Sequence, residues 1–84
     1  SKKIIQMLAT KGNKYSMAFF DPPYALQTIE KDLQELIGLN LLTSDAIIIC
    51  EVSDEVELPE KIGYLNRVRE QHYGITKIVI YKGE

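Results

Sequence analysis

Four consecutive residues, Asp21-Pro22-Pro23-Tyr24, hold the groups of this chain best suited to chemistry. The Asp21 carboxylate accepts hydrogen bonds. Pro22 has no N–H, and its carbonyl is left to accept. Two neighbouring acceptors can take both hydrogens of an exocyclic amino group. Drawing on both pushes electron density to the nitrogen and aligns its lone pair on an electrophilic methyl. The proline rings hold φ at about −65°, so the acceptor is in place before the substrate arrives, as preorganised stabilisation requires. Tyr24 adds a ring face on which an extruded base can stack, an interaction worth about 1–3 kcal/mol. The same residues also serve as strand-ending punctuation, because Asp-Pro and Pro-Pro pairs mark turns. The apolar run before them and the aromatic ring that closes them favour the chemical reading.

The surrounding elements must place that motif. Tyr15–Phe20 is short and almost wholly apolar, which is how a strand covered on both faces reads. Asp21 follows its last residue, at the end of a parallel strand where open α/β sheets place their ligands. A helix is expected from Leu26 to Ile37, with Ile29, Leu33, Leu36 and Ile37 as its core stripe and Gly38 as its stop. Ala46–Val52, with its β-branched Ile47-Ile48-Ile49, reads as a second buried strand. These two strands should be parallel, joined by a right-handed crossover. Residues 53–63 are acidic, contain Pro59 and Gly63, and read as a surface loop. Tyr64–His72 and Lys77–Lys82 read as a hairpin turning at Gly74. In its first strand, Leu65, Val68 and Tyr73 are the expected inward residues. Residues 2–9 carry Ile4, Ile5 and Leu8 at helical spacing and end at Gly12-Asn13, so they read as a helix end. Two helices cannot cover both faces of such a sheet, and the Tyr15–Phe20 strand would be left as an open apolar edge.

The bulk properties set limits. An 84-residue chain makes one small domain and buries roughly 60% of its unfolded surface. A hydrophobic fraction of 45%, a charged fraction of 26%, a net charge of −2 and a pI of about 5.4 describe an ordinary globular domain. Nucleic acid held by bulk positive charge is disfavoured. Charge is nevertheless uneven, with Lys2, Lys3, Lys11 and Lys14 at one end and an acidic run from Glu51 to Glu60. Cys50 is the one cysteine, set in an apolar run, so it is expected to be a buried, inert thiol in a reducing compartment. No Cys/His cluster has metal-ligand spacing, and no apolar run approaches the roughly 18 residues that a membrane span needs.

The motif and its flanks resemble a known family. Asp-Pro-Pro-Tyr after a strand is similar to the signature that S-adenosylmethionine-dependent amino-methyltransferases carry after their fourth strand. Phe20 to Ala25, Leu41-Leu42, the Ile-rich strand ending in Cys50-Glu51, Val56-Glu57-Leu58-Pro59 and Tyr73-Gly74-Ile75-Thr76-Lys77 together resemble the bacterial ribosomal small-subunit methyltransferase D family. That resemblance implies methyl transfer to the N2 amine of a guanine in 16S ribosomal RNA. It also implies S-adenosylmethionine as cofactor, ribosomal RNA or the assembling small subunit as partner, and a cytoplasmic location. It gives Asp21, Pro22 and Tyr24 the catalytic roles. Pro23 and Tyr24 become substrate contacts, and Arg67 and Arg69 are expected beside them from their place on the hairpin.

The resemblance also sets the expected architecture. Residues 1–84 should be a single partial domain, the C-terminal half of a Rossmann-like α/β sheet, with parallel strands and an antiparallel C-terminal hairpin. Such enzymes hold the cofactor with a glycine-rich loop after the first strand. Here the glycines stand at 12, 38, 63, 74 and 83, with no GxG, and the chain opens on Ser1. The cofactor-binding half is therefore expected to lie elsewhere. The chain alone is expected to be inactive, not to bind S-adenosylmethionine, and to associate with itself through the open sheet edge. Arg67, Arg69, Lys77 and Lys82 could line one side of the hairpin and touch phosphates, or form an ordinary solvated face. Glu51 points toward the ligand end, and His72 reads as a surface or edge-strand residue. Two other readings use the same residues: a DNA adenine-N6 or cytosine-N4 methyltransferase, and a non-catalytic α/β module that binds a partner chain.

Overall fold

Apolar spacing does not reveal the first element of the sheet. The computed structural model describes residues 5–20 and 26–83. Ile5–Lys11 is a strand, β1, rather than the end of a helix. It runs antiparallel to β2 (Lys14–Phe20), with Lys11 facing Lys14 across a two-residue loop. Gly12 opens that loop at φ 67°, the left-handed region that a tight hairpin demands at its first loop position. A glycine that could have ended a helix instead turns a hairpin. Ile5, Met7 and Ala9 are half-buried while Gln6, Leu8 and Thr10 face water, so the working period is two. The physical reason is the edge of β2, whose backbone groups need partners; β1 supplies them. The edge expected to mediate self-association is thus already paired.

From β2 the chain crosses through α1 (Leu26–Gly38) to β3 (Leu42–Ser53). β2 and β3 are parallel, with Met17 to Phe20 in register with Ile47 to Cys50. The helix closes past Gly38. Leu41 N–H donates to the Leu36 carbonyl (3.1 Å) and Asn40 N–H to the Ile37 carbonyl (2.9 Å), with Asn40 at φ 58°. That bond pair is a Schellman ending, and Asn takes the position that Gly usually fills.

Beyond β3 the sheet continues with β6 (Thr76–Lys82), then β5 (Leu65–Tyr73), then the two-residue β4 (Lys61–Ile62). The strand order is β1-β2-β3-β6-β5-β4, and every pairing except β2–β3 is antiparallel. The mixed sheet expected from the sequence is present, with its C-terminal hairpin. The acidic segment is largely loop but ends in β4, and Leu58 within it is buried.

The core lies on one face of the sheet. Ala18 and Phe20 of β2, Ile48, Cys50 and Val52 of β3, and Val79 and Tyr81 of β6 are all 0% exposed, and α1 brings Ile29 and Leu33 against them. On the opposite face Met17, Phe19, Ile47, Ile49, Ile78 and Ile80 are half-buried. Among the described residues no helix covers them. Burial pushes the Cys50 thiol up to about 12, so it stays protonated and inert at neutral pH.

Candidate functional site

Phe20 is the last described residue of β2, and Asp21 is the next in sequence. The Asp21-Pro22-Pro23-Tyr24 motif lies outside the described residues, so their frame is what the structure supplies. Phe20 is fully buried and in register with Cys50 on the parallel neighbour β3. The chain therefore leaves β2 at the carboxyl end of a parallel pair, the end where such sheets bind ligands. Glu51, next on β3, is half-buried and shares a face with Ile78 rather than with the core.

Residues 54–60 follow β3 at that same end and are strapped to the hairpin. Leu58 is buried, and its carbonyl accepts from Arg67 Nη1 at 2.7 Å. The Arg67 backbone N–H donates to Glu60 (2.8 Å), and the Tyr81 hydroxyl donates to the Pro59 carbonyl. Burial raises the Tyr81 hydroxyl pKa, so it stays a donor. Asp54 N–H donates to the Ile75 carbonyl at 2.8 Å, and the Asp54 carboxylate meets His72 Nδ1. These bonds fix the segment along the hairpin, from the Ile75 turn at the carboxyl end of β3 back to Tyr81, which is level with Ile48.

The arginines do not share a face. A bulge between Arg67 and Arg69 puts Val68 out of the ladder. Arg67 then stands opposite Tyr81 on the core face, while Arg69 stands opposite Ile80 on the other face. Regular alternation would have kept them together. Arg67 is half-buried and donates to the Leu58 carbonyl, whereas Arg69 is exposed and donates to the Gln71 side chain at 2.9 Å. The same slip leaves Val68 57% and Tyr73 58% exposed rather than inward.

Lys77 also departs from the expected solvated row. It is 1% exposed on the core face, and its ammonium meets Glu70 at 2.8 Å and Glu57 at 4.0 Å. The hydrogen bond from Lys77 holds the Glu70 carboxyl below the usual carboxylate range. Lys82 remains exposed, and His72 is a surface residue paired with Asp54. The lysine reversal is not readable from residue type, because charged residues are rarely fully buried unless paired.

At the opposite, amino end of β2 and β3, Lys14, Asn40, Leu42, Ser44 and Tyr64 line a shallow depression of about 220 Å³. Its cation is engaged, Lys14 Nζ donating to the Asn40 side chain at 3.0 Å. Among the described residues no His, Cys, Asp and Glu group has the make-up of a metal site. No described helix is long and apolar enough to cross a membrane.

This frame matches a family model, "Conserved hypothetical protein 95", over residues 1–82. The chain belongs to that family. It is the ribosomal small-subunit methyltransferase D-like family that the motif and its flanks resemble. A member from Bacillus subtilis (strain 168), named "Putative rRNA methyltransferase YlbH", is 33% identical over 82 residues, 98% of this chain and 45% of its own length. A solved structure of a conserved hypothetical protein from Streptococcus pyogenes superposes with a TM-score of 0.79 at 36% identity, covering 86% of this chain and 45% of that one. The chain thus spans about 45% of the length of each of these relatives.

Among the described residues, two glycine turns can be weighed as cofactor loops. The Gly12 loop joins β1 to the amino end of β2, the far end from Asp21. Gly74, at the carboxyl end, is occupied in a hairpin turn. The described residues therefore do not fit a nucleoside-binding turn, and none is assigned to S-adenosylmethionine.

Proposed function

We propose that this chain supplies the target-amine side of an rRNA methyltransferase site, acting on the N2 amine of a guanine in 16S ribosomal RNA with S-adenosylmethionine as donor. The observation that carries the reading is the exit of β2 at Phe20, beside the parallel β3 and directly before Asp21-Pro22-Pro23-Tyr24. The relative's printed name supports ribosomal RNA as the substrate class. In this reading Asp21 and the Pro22 carbonyl accept the two amine hydrogens and turn the nitrogen lone pair outward. Pro23 keeps the turn rigid, and Tyr24 stacks on the base. Arg69 remains a candidate substrate contact. Arg67 acts as the strap that holds residues 54–60.

The test is Asp21→Ala in the full-length polypeptide, with methyl transfer to 16S ribosomal RNA and to DNA measured side by side. Removing a preorganised hydrogen-bonding group usually lowers the rate by roughly 10² to 10³. Transfer to RNA that survives within about tenfold overturns the role of Asp21. Preferential transfer to DNA overturns the substrate class.

A further inference from the structure

The tip of the β5–β6 hairpin exposes two apolar side chains at the carboxyl end of the sheet. Tyr73 is 58% exposed and Ile75 is 85% exposed. Single exposed hydrophobics are ordinary, so exposure decides nothing by itself. What distinguishes this tip is that it is rigid, aimed and in line with a cation.

Its rigidity comes from the turn. Tyr73 pairs with Thr76 across Gly74-Ile75, with Gly74 at φ 62°. The Thr76 hydroxyl donates to the Tyr73 carbonyl at 3.1 Å, and Asp54 N–H donates to the Ile75 carbonyl at 2.8 Å. The backbone under the ring is thereby fixed to β3 as well as to β6. Its aim follows from the ladder. Thr76 pairs with Ser53, the last residue of β3, and β3 is the parallel neighbour of β2. From β2 to β5 is three strand spacings, about 14 Å. Phe20 is level with Glu70 across the ladder, so the Tyr73 tip stands three strands over from the end of β2 and three residues, about 10 Å, beyond it, at the reach of a nucleotide near the target base.

The cation is Arg69. Beyond the Val68 bulge the ladder is regular, so Arg69, Gln71 and Tyr73 share the face opposite the core. A guanidinium has five donors, and the bond to Gln71 uses one of them. Arg69 and Tyr73 lie four residues apart on one strand, about 13 Å. An aromatic ring, an amide and a guanidinium in one row match the alternation of base and phosphate along an extended strand of nucleic acid.

We propose that Tyr73 stacks on an unpaired nucleotide flanking the target base, and that Arg69 takes a phosphate of the same strand. This rests on the RNA methyl-transfer reading and adds a substrate contact some three strands away from the motif.

The probes are a fluorescein-labelled unstructured oligoribonucleotide and the same sequence in a duplex, bound to the full-length polypeptide and followed by anisotropy. Tyr73→Ala should weaken single-strand binding about 5- to 150-fold. Tyr73→Phe, which keeps the ring, should stay within about twofold. Arg69→Ala should weaken binding and reduce the salt slope by about 1. Unchanged affinity in Tyr73→Ala overturns the proposal. So does an equal loss in Tyr73→Phe, or an equal loss on the duplex. Failure of the methyl-transfer reading shows separately, as an Asp21→Ala enzyme that keeps its rate whatever Tyr73 does.

Discussion

Where β2 and β3 meet α1, the core among the described residues is built from apolar side chains, Ala18, Phe20, Ile48 and Cys50 from the sheet and Ile29 and Leu33 from the helix, with Asp32 the buried polar residue of α1. Where β5 and β6 meet residues 54–60, the contacts are mostly polar. Lys77 pairs with Glu70, Arg67 and Tyr81 hold backbone carbonyls, and His72 meets Asp54. The first region is stabilised by removal of surface from water, a force indifferent to pH and direction. The second relies on geometry and charge, which hold a loop in one position but respond to protons. A platform under the end of β2 and a loop fixed along the hairpin thus rest on different physics within one sheet.

The comparison can be broken most forcefully in the apolar region. Phe20→Ala should cost about 3–5 kcal/mol, read as a shift in the urea midpoint with little change in slope. A loss below about 1 kcal/mol would mean that the platform is not held by its core. Next comes the loop. Tyr81→Phe removes the hydroxyl that donates to Pro59 and should cost about 1 kcal/mol. Its cleavage by protease should appear between residues 54 and 60 before the rest of the chain opens, because local opening follows local stability.

The smallest effect sharpens the contrast. Glu70 has a folded-state pKa below its ordinary value of 4.5, so its contribution is present above that pH and is lost as pH falls through the lower folded value. Lys77→Met should change stability at neutral pH by no more than about 1 kcal/mol, since an apolar chain of similar length suits the site and Glu70, 29% exposed, can turn to water. It should also flatten the loss of stability on acidification below about pH 4.5. An unchanged acid limb would show that the Lys77–Glu70 pair is not its source.

Much of this architecture was legible in residue order. The apolar run before Asp21, the Ile-rich β3 and the stripe of α1 announce a parallel pair with a crossover, because burial on both sides of a strand and on one side of a helix leave different periods. The hairpin at Gly74 is legible for a similar reason. β1 was not, since Ile5, Met7, Leu8 and Gly12 fit a helix end and a hairpin equally well, and the need of β2 for an edge partner decides between them. Asn40 in place of Gly38 as the helix ending depends on a backbone angle that either residue can adopt. The inward turn of Lys77 and the separation of Arg67 from Arg69 depend on pairing across strands, which no single strand encodes. Of the site, the frame was legible from Phe20 onward, while Asp21, Pro22, Pro23 and Tyr24 themselves lie outside the described residues.

The bulge at Val68 has a meaning for how this sequence can change in length. A ladder that loses one residue normally carries every later side chain to the wrong face. Val68 is already the unmatched residue, so a chain lacking it would pair Arg67 with Tyr81 and Arg69 with Ile80 as before. Glu70 and His72 would keep the core face, and Gln71 and Tyr73 the open one. β5 therefore contains a site at which a one-residue deletion is silent in register: loss of Val68 leaves every paired residue in place, while loss of Arg67 or Arg69 brings Val68 into the vacated pair.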